Sequence, residues 1–183
     1  KDLVLSNHDV KKEYLLYVGN IEKRKNLLTL LRTMKRLKNK NLIVIGNGGS
    51  YKQTCLKYIK NNELNNRVKI INGLTLKEMA VFYQCAEIMI YPSIFEGFGL
   101  PIIEALFSRT PVITSKGSCF HEAGGNKTKY INPMSANEIY NAILEIQNSK
   151  KIQEEMKEEG YNYVQNFTHK KVGKELMRIY EEL

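Results

Sequence analysis

The feature that most constrains this chain is an alternation of short apolar runs with stretches whose apolar residues recur at helical spacing. A strand apolar on both faces needs helices on both sides. The pattern therefore predicts βα units on a parallel sheet. The predicted strands are Tyr14–Val18, Asn41–Ile45, Val68–Ile71, Ile88–Tyr91, Pro111–Thr114 and Lys129–Ile131. Between them, Leu27, Leu30, Leu31, Met34 and Leu37 mark one helix, and Tyr51, Cys55, Tyr58 and Ile59 a more polar one. Thr75 with Glu78 three residues on forms a capping box for a helix over Leu76–Gln84. Pro101 suits the first turn of a helix running to about Ser108. From Ile139 the remainder reads as helical, ending on Val172, Leu176, Ile179, Tyr180 and Leu183. The expected fold is α/β, a Rossmann-like doubly wound parallel sheet of about six strands.

Composition sets the remaining bounds. Hydrophobic residues make up 43% and charged residues 26% of the 183, the balance of a globular domain. No signal peptide or membrane-length apolar run is visible, so a cytoplasmic location is expected. Cys55, Cys85 and Cys119 lack metal or disulfide spacing, and His8, His121 and His169 lack metal-ligand spacing. No metal is expected. A net charge of +9 favours polyanionic partners: nucleotide phosphates, nucleic acid or an anionic membrane face. Lysines dispersed along the chain, such as Lys35, Lys38, Lys57, Lys60 and Lys150, fit a solvated surface equally well.

In a doubly wound sheet, ligands bind at the carboxyl ends of the strands near the reversal of strand order. The loops expected there are Gly19–Lys25, Gly46–Gly49, Asn72–Thr75, Ser93–Pro101 and Ser115–Glu122. Ser93–Pro101 enters a helix N-terminus, where free backbone N–H groups and the helix dipole attract an anion. Gly97 and Gly99 allow close backbone approach there. Glu96 and Glu104 bracket this loop, and each carboxylate has two oxygens able to accept from neighbouring hydroxyls of a sugar or ribose. Taken singly, either glutamate also reads as a solvated or dipole-complementing residue. Lys23, Arg24 and Lys25 face this site only if the first and fourth strands are neighbours, and Arg24 or Lys25 would then neutralise a diphosphate. Gly46-Asn47-Gly48-Gly49 is no dinucleotide fingerprint, and neither a Walker loop nor a nucleophile elbow is present.

The segment Tyr91-Pro-Ser-Ile-Phe-Glu-Gly-Phe-Gly-Leu-Pro-Ile-Ile-Glu-Ala-Leu106 resembles the paired-glutamate motif of retaining GT-B glycosyltransferases, family 4, in their C-terminal, donor-binding domain. Tyr17-Val-Gly-Asn-Ile-Glu-Lys-Arg-Lys-Asn-Leu27 is similar to that family's first phosphate-binding loop, Leu42–Gly48 to its second strand and turn, and Pro111–Ser115 with Glu122 to the segment after the motif helix. The resemblance runs from Tyr14 nearly to the end. It implies that Lys25 and Glu96 are catalytic, on the diphosphate and the transferred sugar. It further implies a donor site of Gly19, Asn20, Arg24, Gly48, Gly73, Leu74, Gly97, Phe98, Gly99, Leu100 and Glu104, with Glu104 on the ribose and Gly73–Leu74 beside the base. Retention by front-face displacement, with the leaving phosphate assisting deprotonation, needs no metal or protein base.

Four positions depart from the family pattern: Asn20 replaces a common second cation, Phe107 and Arg109 replace a small residue and glycine, and His169 replaces an aromatic. The resemblance also implies division into a nucleotide-sugar-binding domain, 1–168, and a terminal helix, 169–183, that packs towards an absent N-terminal acceptor domain. Alone, the chain is then expected to transfer little. Implied partners are a nucleotide sugar, the acceptor domain and, through the full enzyme, a lipid-linked acceptor or the inner face of a membrane. Two alternatives stay open: another GT-B sugar-nucleotide enzyme such as an epimerase, and a basic module for nucleic acid or membrane. The latter lacks a recognised nucleic-acid motif and interleaved aromatics.

Overall fold

A computed structural model describes residues 1–117 and 119–182. Six parallel strands form one sheet in the order β3-β2-β1-β4-β5-β6. They are β1 (Tyr14–Val18), β2 (Leu42–Ile45), β3 (Val68–Ile71), β4 (Ala86–Tyr91), β5 (Val112–Ser115) and β6 (Lys129–Ile131). The chain builds outward from β1 to β3, then returns to lay β4 against the other side of β1. That reversal opens a crevice at the carboxyl ends of β1 and β4, where their loops diverge to opposite sides.

The helices are α1 (Asp2–Asn7), α2 (Leu27–Met34), α3 (Ser50–Asn61), α4 (Leu76–Cys85), α5 (Leu100–Phe107), α6 (Phe120–Gly124), α7 (Ala136–Gln147), α8 (Lys150–Val164) and α9 (His169–Glu181). Every residue of β1 is buried. Leu15 and Tyr17 join the core beneath α2, α3 and α7, whereas Tyr14, Leu16 and Val18 join the core beneath α1, α4, α5 and α6. This period-two division explains the unbroken apolar runs, because both pleat faces are covered. Each such side chain stabilises the fold by about 1.5–3 kcal/mol relative to exposure. Helix α8 closes one end, placing Met156 in the first core and Val164 in the second.

The capping box forms as predicted: Thr75 N donates to Glu78 Oε2 at 2.8 Å and Glu78 N to Thr75 Oγ1 at 3.3 Å. Helices α1 and α6 were not expected. With six and five residues they are too short to display a periodicity, and the predicted loop over Ser115–Glu122 gives way to α6 from Phe120. Arg109 adopts a left-handed φ of 57°, the backbone state a glycine favours. Its side chain compensates by pairing with Glu158 and lying 4.1 Å over the Tyr161 ring. Helix α9 buries none of its residues and leaves Val172, Leu176, Met177, Ile179 and Tyr180 exposed.

Candidate functional site

The loops after β1 and β4 meet in the crevice and are stitched together through their backbones. Ile94 N donates to Arg24 O at 2.8 Å, Ser93 Oγ to the same carbonyl at 3.2 Å, and the Arg24 guanidinium to Phe95 O at 2.8 Å. Asn26 reinforces the join. Its left-handed φ of 57° is a conformation asparagine tolerates, and its buried side-chain amide donates to Pro92 O at 3.2 Å and Pro133 O at 2.6 Å. Thr29 Oγ1 in turn donates to Asn26 Oδ1 at 2.7 Å. Lys25 emerges immediately before this joint, on a single 3-10 turn over Lys23–Lys25.

The strand order therefore brings together the cations and the carboxylate that the sequence keeps seventy residues apart. Lys25 Nζ lies 2.7 Å from Glu96 Oε1, and Arg24 Nη1 lies 2.8 Å from Glu96 Oε2. Oε1 also accepts from Ser93 Oγ at 2.7 Å and Tyr91 Oη at 2.9 Å. Burial pushes the Glu96 carboxyl up, but donors from Lys25, Ser93, Arg24 and Tyr91 outweigh it and hold the group at about 2. Glu96 is thus ionised across the physiological range. Burial and the Glu96 hydrogen bond raise the Tyr91 phenol well above its ordinary value, so it stays protonated and donates. Since an ammonium has only donors, the polar chain runs from Lys25 through Tyr91 oxygen to Glu96.

Glycines leave room around this cluster. Gly19, φ 138°, adopts a backbone state that a side chain would strain, and its Cβ position lies 3.7 Å from the Lys25 ammonium, while a Cβ at Gly46 would meet Gly19 O at 2.1 Å. Gly48 has a packing function, since a Cβ there would lie 2.3 Å from Ile21 O. Helix α5 is capped by Gly99, φ 102°, with no side-chain cap, and its N-terminus follows Gly97 with Leu100 exposed. Phe98 packs edge-on against Phe167 at 5.6 Å. Glu104 is solvent-exposed at its carboxylate but anchored by the buried Tyr83, whose hydroxyl donates at 2.7 Å.

A hollow of ≈290 Å³ runs along the ends of β1, β2 and β3, lined by Gly19, Asn20, Asn47, Asn72, Gly73, Leu74 and Met79. A larger one of ≈500 Å³ opens at the amino ends of β2 and β3, next to Lys11, Arg67 and Lys69. Its chemistry is already spent: Arg67 donates to the carbonyls of Met34 and Leu37, and Lys69 to that of His8. The smaller hollow, whose Gly19 wall stands beside Lys25, is the better ligand site. Among the described residues no three His, Cys, Asp or Glu side chains converge as a metal site would require.

The model of the glycosyl transferases group 1 family matches residues 4–163, most of the chain. The chain belongs to that family. It is 33% identical over 138 residues to the O-antigen chain mannosyltransferase RfbU of Salmonella typhimurium, covering 75% of this chain and 39% of that protein. The chain thus spans well under half the length of that group 1 relative. Among solved structures, Anabaena HepE in complex with UDP superposes with a TM-score of 0.90 at 16% identity, over 100% of this chain and 52% of HepE. The C-terminal domain of the group 1 glycosyl transferase LpcC from Francisella tularensis gives 0.78 at 21% identity, over 90% of each chain. These likenesses assign the sheet to the GT-B architecture.

Against this family frame, the sequence-predicted residues fall into groups. Lys25, Arg24 and Glu96 meet directly; Gly19, Asn20, Gly73 and Leu74 line the adjoining hollow; Gly97–Leu100 form the entry to α5. Four residues of structural consequence were missed: Asn26, Tyr83, Tyr91 and Ser93. Tyr91 and Ser93 lie within the paired-glutamate segment and Asn26 within the basic-loop segment, but each acts through a hydrogen bond that the motif alone does not reveal, and Tyr83 stands in neither. No helix among the described residues is long and apolar enough to cross a membrane.

Proposed function

We propose that the chain is the donor-binding domain of a retaining family 4 glycosyltransferase, moving a hexosyl group from a nucleoside-diphosphate sugar to a glycan or glycolipid acceptor. The single observation that carries this reading is the meeting of Arg24 and Lys25 with Glu96 at 2.8 and 2.7 Å across the switch point, beside the α5 N-terminus. Two cations and the positive end of the α5 dipole can take a diphosphate, which leaves the hollow beyond Gly19 for the nucleoside. In this reading Lys25 and Arg24 stabilise the charge that develops on the departing phosphate, the contribution expected to lower the barrier most. Glu96 contacts the sugar. Glu104, held by Tyr83, accepts from the ribose hydroxyls, and Leu74 packs beside the base. No metal is required, because protein cations neutralise the leaving group.

The likeness to the O-antigen chain mannosyltransferase RfbU favours mannose as the hexose and an O-antigen-type polysaccharide as the product. The UDP in HepE supports a nucleoside diphosphate in this fold without choosing the base. Acceptor binding then belongs to a second domain, onto which the apolar stripe of α9 docks, and the isolated chain binds donor but transfers little. The whole enzyme works in the cytoplasm, at the inner membrane face where the acceptor is lipid-linked.

Thermal-shift titration with UDP, GDP and ADP tests the donor site. At least one is expected to stabilise the chain beyond equimolar phosphate, and Glu104→Ala to diminish that gain. Equal responses to nucleotide and phosphate would refute the assignment.

A further inference from the structure

Glu96 presents a conflict of capacity. An ionised carboxylate offers about four lone-pair sites. Here Oε1 accepts from Lys25, Ser93 and Tyr91, and Oε2 from Arg24. With its side chain only 10% exposed, the group has little left for a sugar hydroxyl. The two cations that a diphosphate needs are the same two that Glu96 occupies.

We propose that Glu96 is the resident counter-anion of the site: an arriving diphosphate displaces its carboxylate from Arg24 and Lys25, and only then are its oxygens free for the sugar. The inference rests on the donor-site reading above and adds an order of events to it. The Lys25 side chain is only 11% exposed, and an ammonium so placed is costly without an anion, so a donor-free site is stabilised by a carboxylate that stands where the phosphate charge will go. Tyr91 makes the exchange possible without loss of Lys25. Its hydroxyl contacts both Lys25 and Glu96, and its ring lies 4.9 Å beneath the ammonium, so Lys25 keeps a second anchor when the carboxylate leaves. Arg24 keeps the Phe95 carbonyl in the same way. Ser93 and Tyr91 hold Glu96 Oε1 through neutral hydroxyls rather than through charge, and they remain to steer the released carboxylate.

Displacement makes a prediction opposite in sign to simple sugar reading. Removing the charge of a residue that only contacts sugar leaves pyrophosphate affinity unchanged. Removing an internal competitor raises it. Isothermal titration of the chain with inorganic pyrophosphate, UDP and GDP, for wild type, Glu96→Gln and Lys25→Met, separates the two. Glu96→Gln is expected to bind pyrophosphate and the preferred nucleotide at least about threefold more tightly, a difference of roughly 0.7 kcal/mol. Lys25→Met should weaken both. Unchanged or weaker binding by Glu96→Gln overturns the displacement while leaving the donor site standing. Failure of every probe on wild type overturns both. Should Glu96→Gln not fold, a structure of wild type with the bound nucleotide decides: loss of the Lys25–Glu96 contact supports the exchange, and its persistence overturns it.

Discussion

The Lys25 ammonium and the Glu96 carboxylate meet at 2.7 Å across the boundary between the neighbouring strands β1 and β4, whose loops turn to opposite sides of the sheet. Seventy residues and three strands intervene in sequence. The contact exists because β4 returns to pair with β1, Leu15 against Ile88 and Leu16 against Met89. Any change that loosens this pairing separates the two charges.

The ionisation of Glu96 links the site to stability. Its carboxyl sits at about 2 in the folded chain against an ordinary 4.5, so the fold favours the charged form. Because the value is lowered, the stabilisation is complete above about pH 4.5 and disappears as pH falls towards 2. Its size is on the order of 3 kcal/mol. Relative to Glu96→Gln, wild type should lose its stability advantage between about pH 5 and pH 2 in chemical denaturation. Parallel pH profiles would show that the ion cluster contributes nothing to folding.

The Tyr83–Glu104 hydrogen bond should act on ligand discrimination more than on the core. Tyr83→Phe keeps the buried ring and frees the Glu104 carboxylate. Loss of one such bond to a charged group is worth about 1.5–3 kcal/mol. We expect this variant to narrow the preference for ribo- over deoxyribonucleoside diphosphates, measured by competitive titration, while leaving pyrophosphate binding intact. An undiminished preference would remove Glu104 from the ribose.

Gly46 and Gly49 make a matched pair for testing the loop packing. A Cβ at Gly46 would lie 2.1 Å from the Gly19 carbonyl, whereas at Gly49 nothing lies within 4 Å. Gly46→Ala should destabilise the chain by about 1–3 kcal/mol and shift the first loop, in the range of overpacking. Gly49→Ala should fall within roughly 0.5 kcal/mol of wild type. Equal melting temperatures for the two would contradict the close approach.

Helix α9 should be dispensable to the sheet. It buries no side chain and rests mainly on the turn at Gln165–Phe167. Truncation after Thr168 is expected to leave the cooperative unfolding transition of the remaining chain within about 1 kcal/mol. A collapse of stability would mean that the exposed stripe supports the domain itself.

Much of this architecture was legible in sequence because the controlling signals are local. The strand cores from Tyr14 and Val68, the capping box at Thr75 and the helix opened by Pro101 depend on neighbours within a few residues. The paired glutamates and the basic loop were equally visible as motifs. What sequence left conditional was adjacency: whether Lys25 faces Glu96 depends on sheet order, a property of the whole chain. The depth of Glu96 was also hidden, since its donors arrive from two loops and a strand end. The same holds for Asn26 and Tyr83, whose partners lie 66, 107 and 21 residues away.

The buried amide of Asn26 gives the crevice a mechanical character. It bonds the loop after β1 to backbone carbonyls that follow β4 and β6, so three connections that would otherwise fluctuate separately share one joint. Moving any one of the three connections therefore stretches a hydrogen bond to a single buried amide.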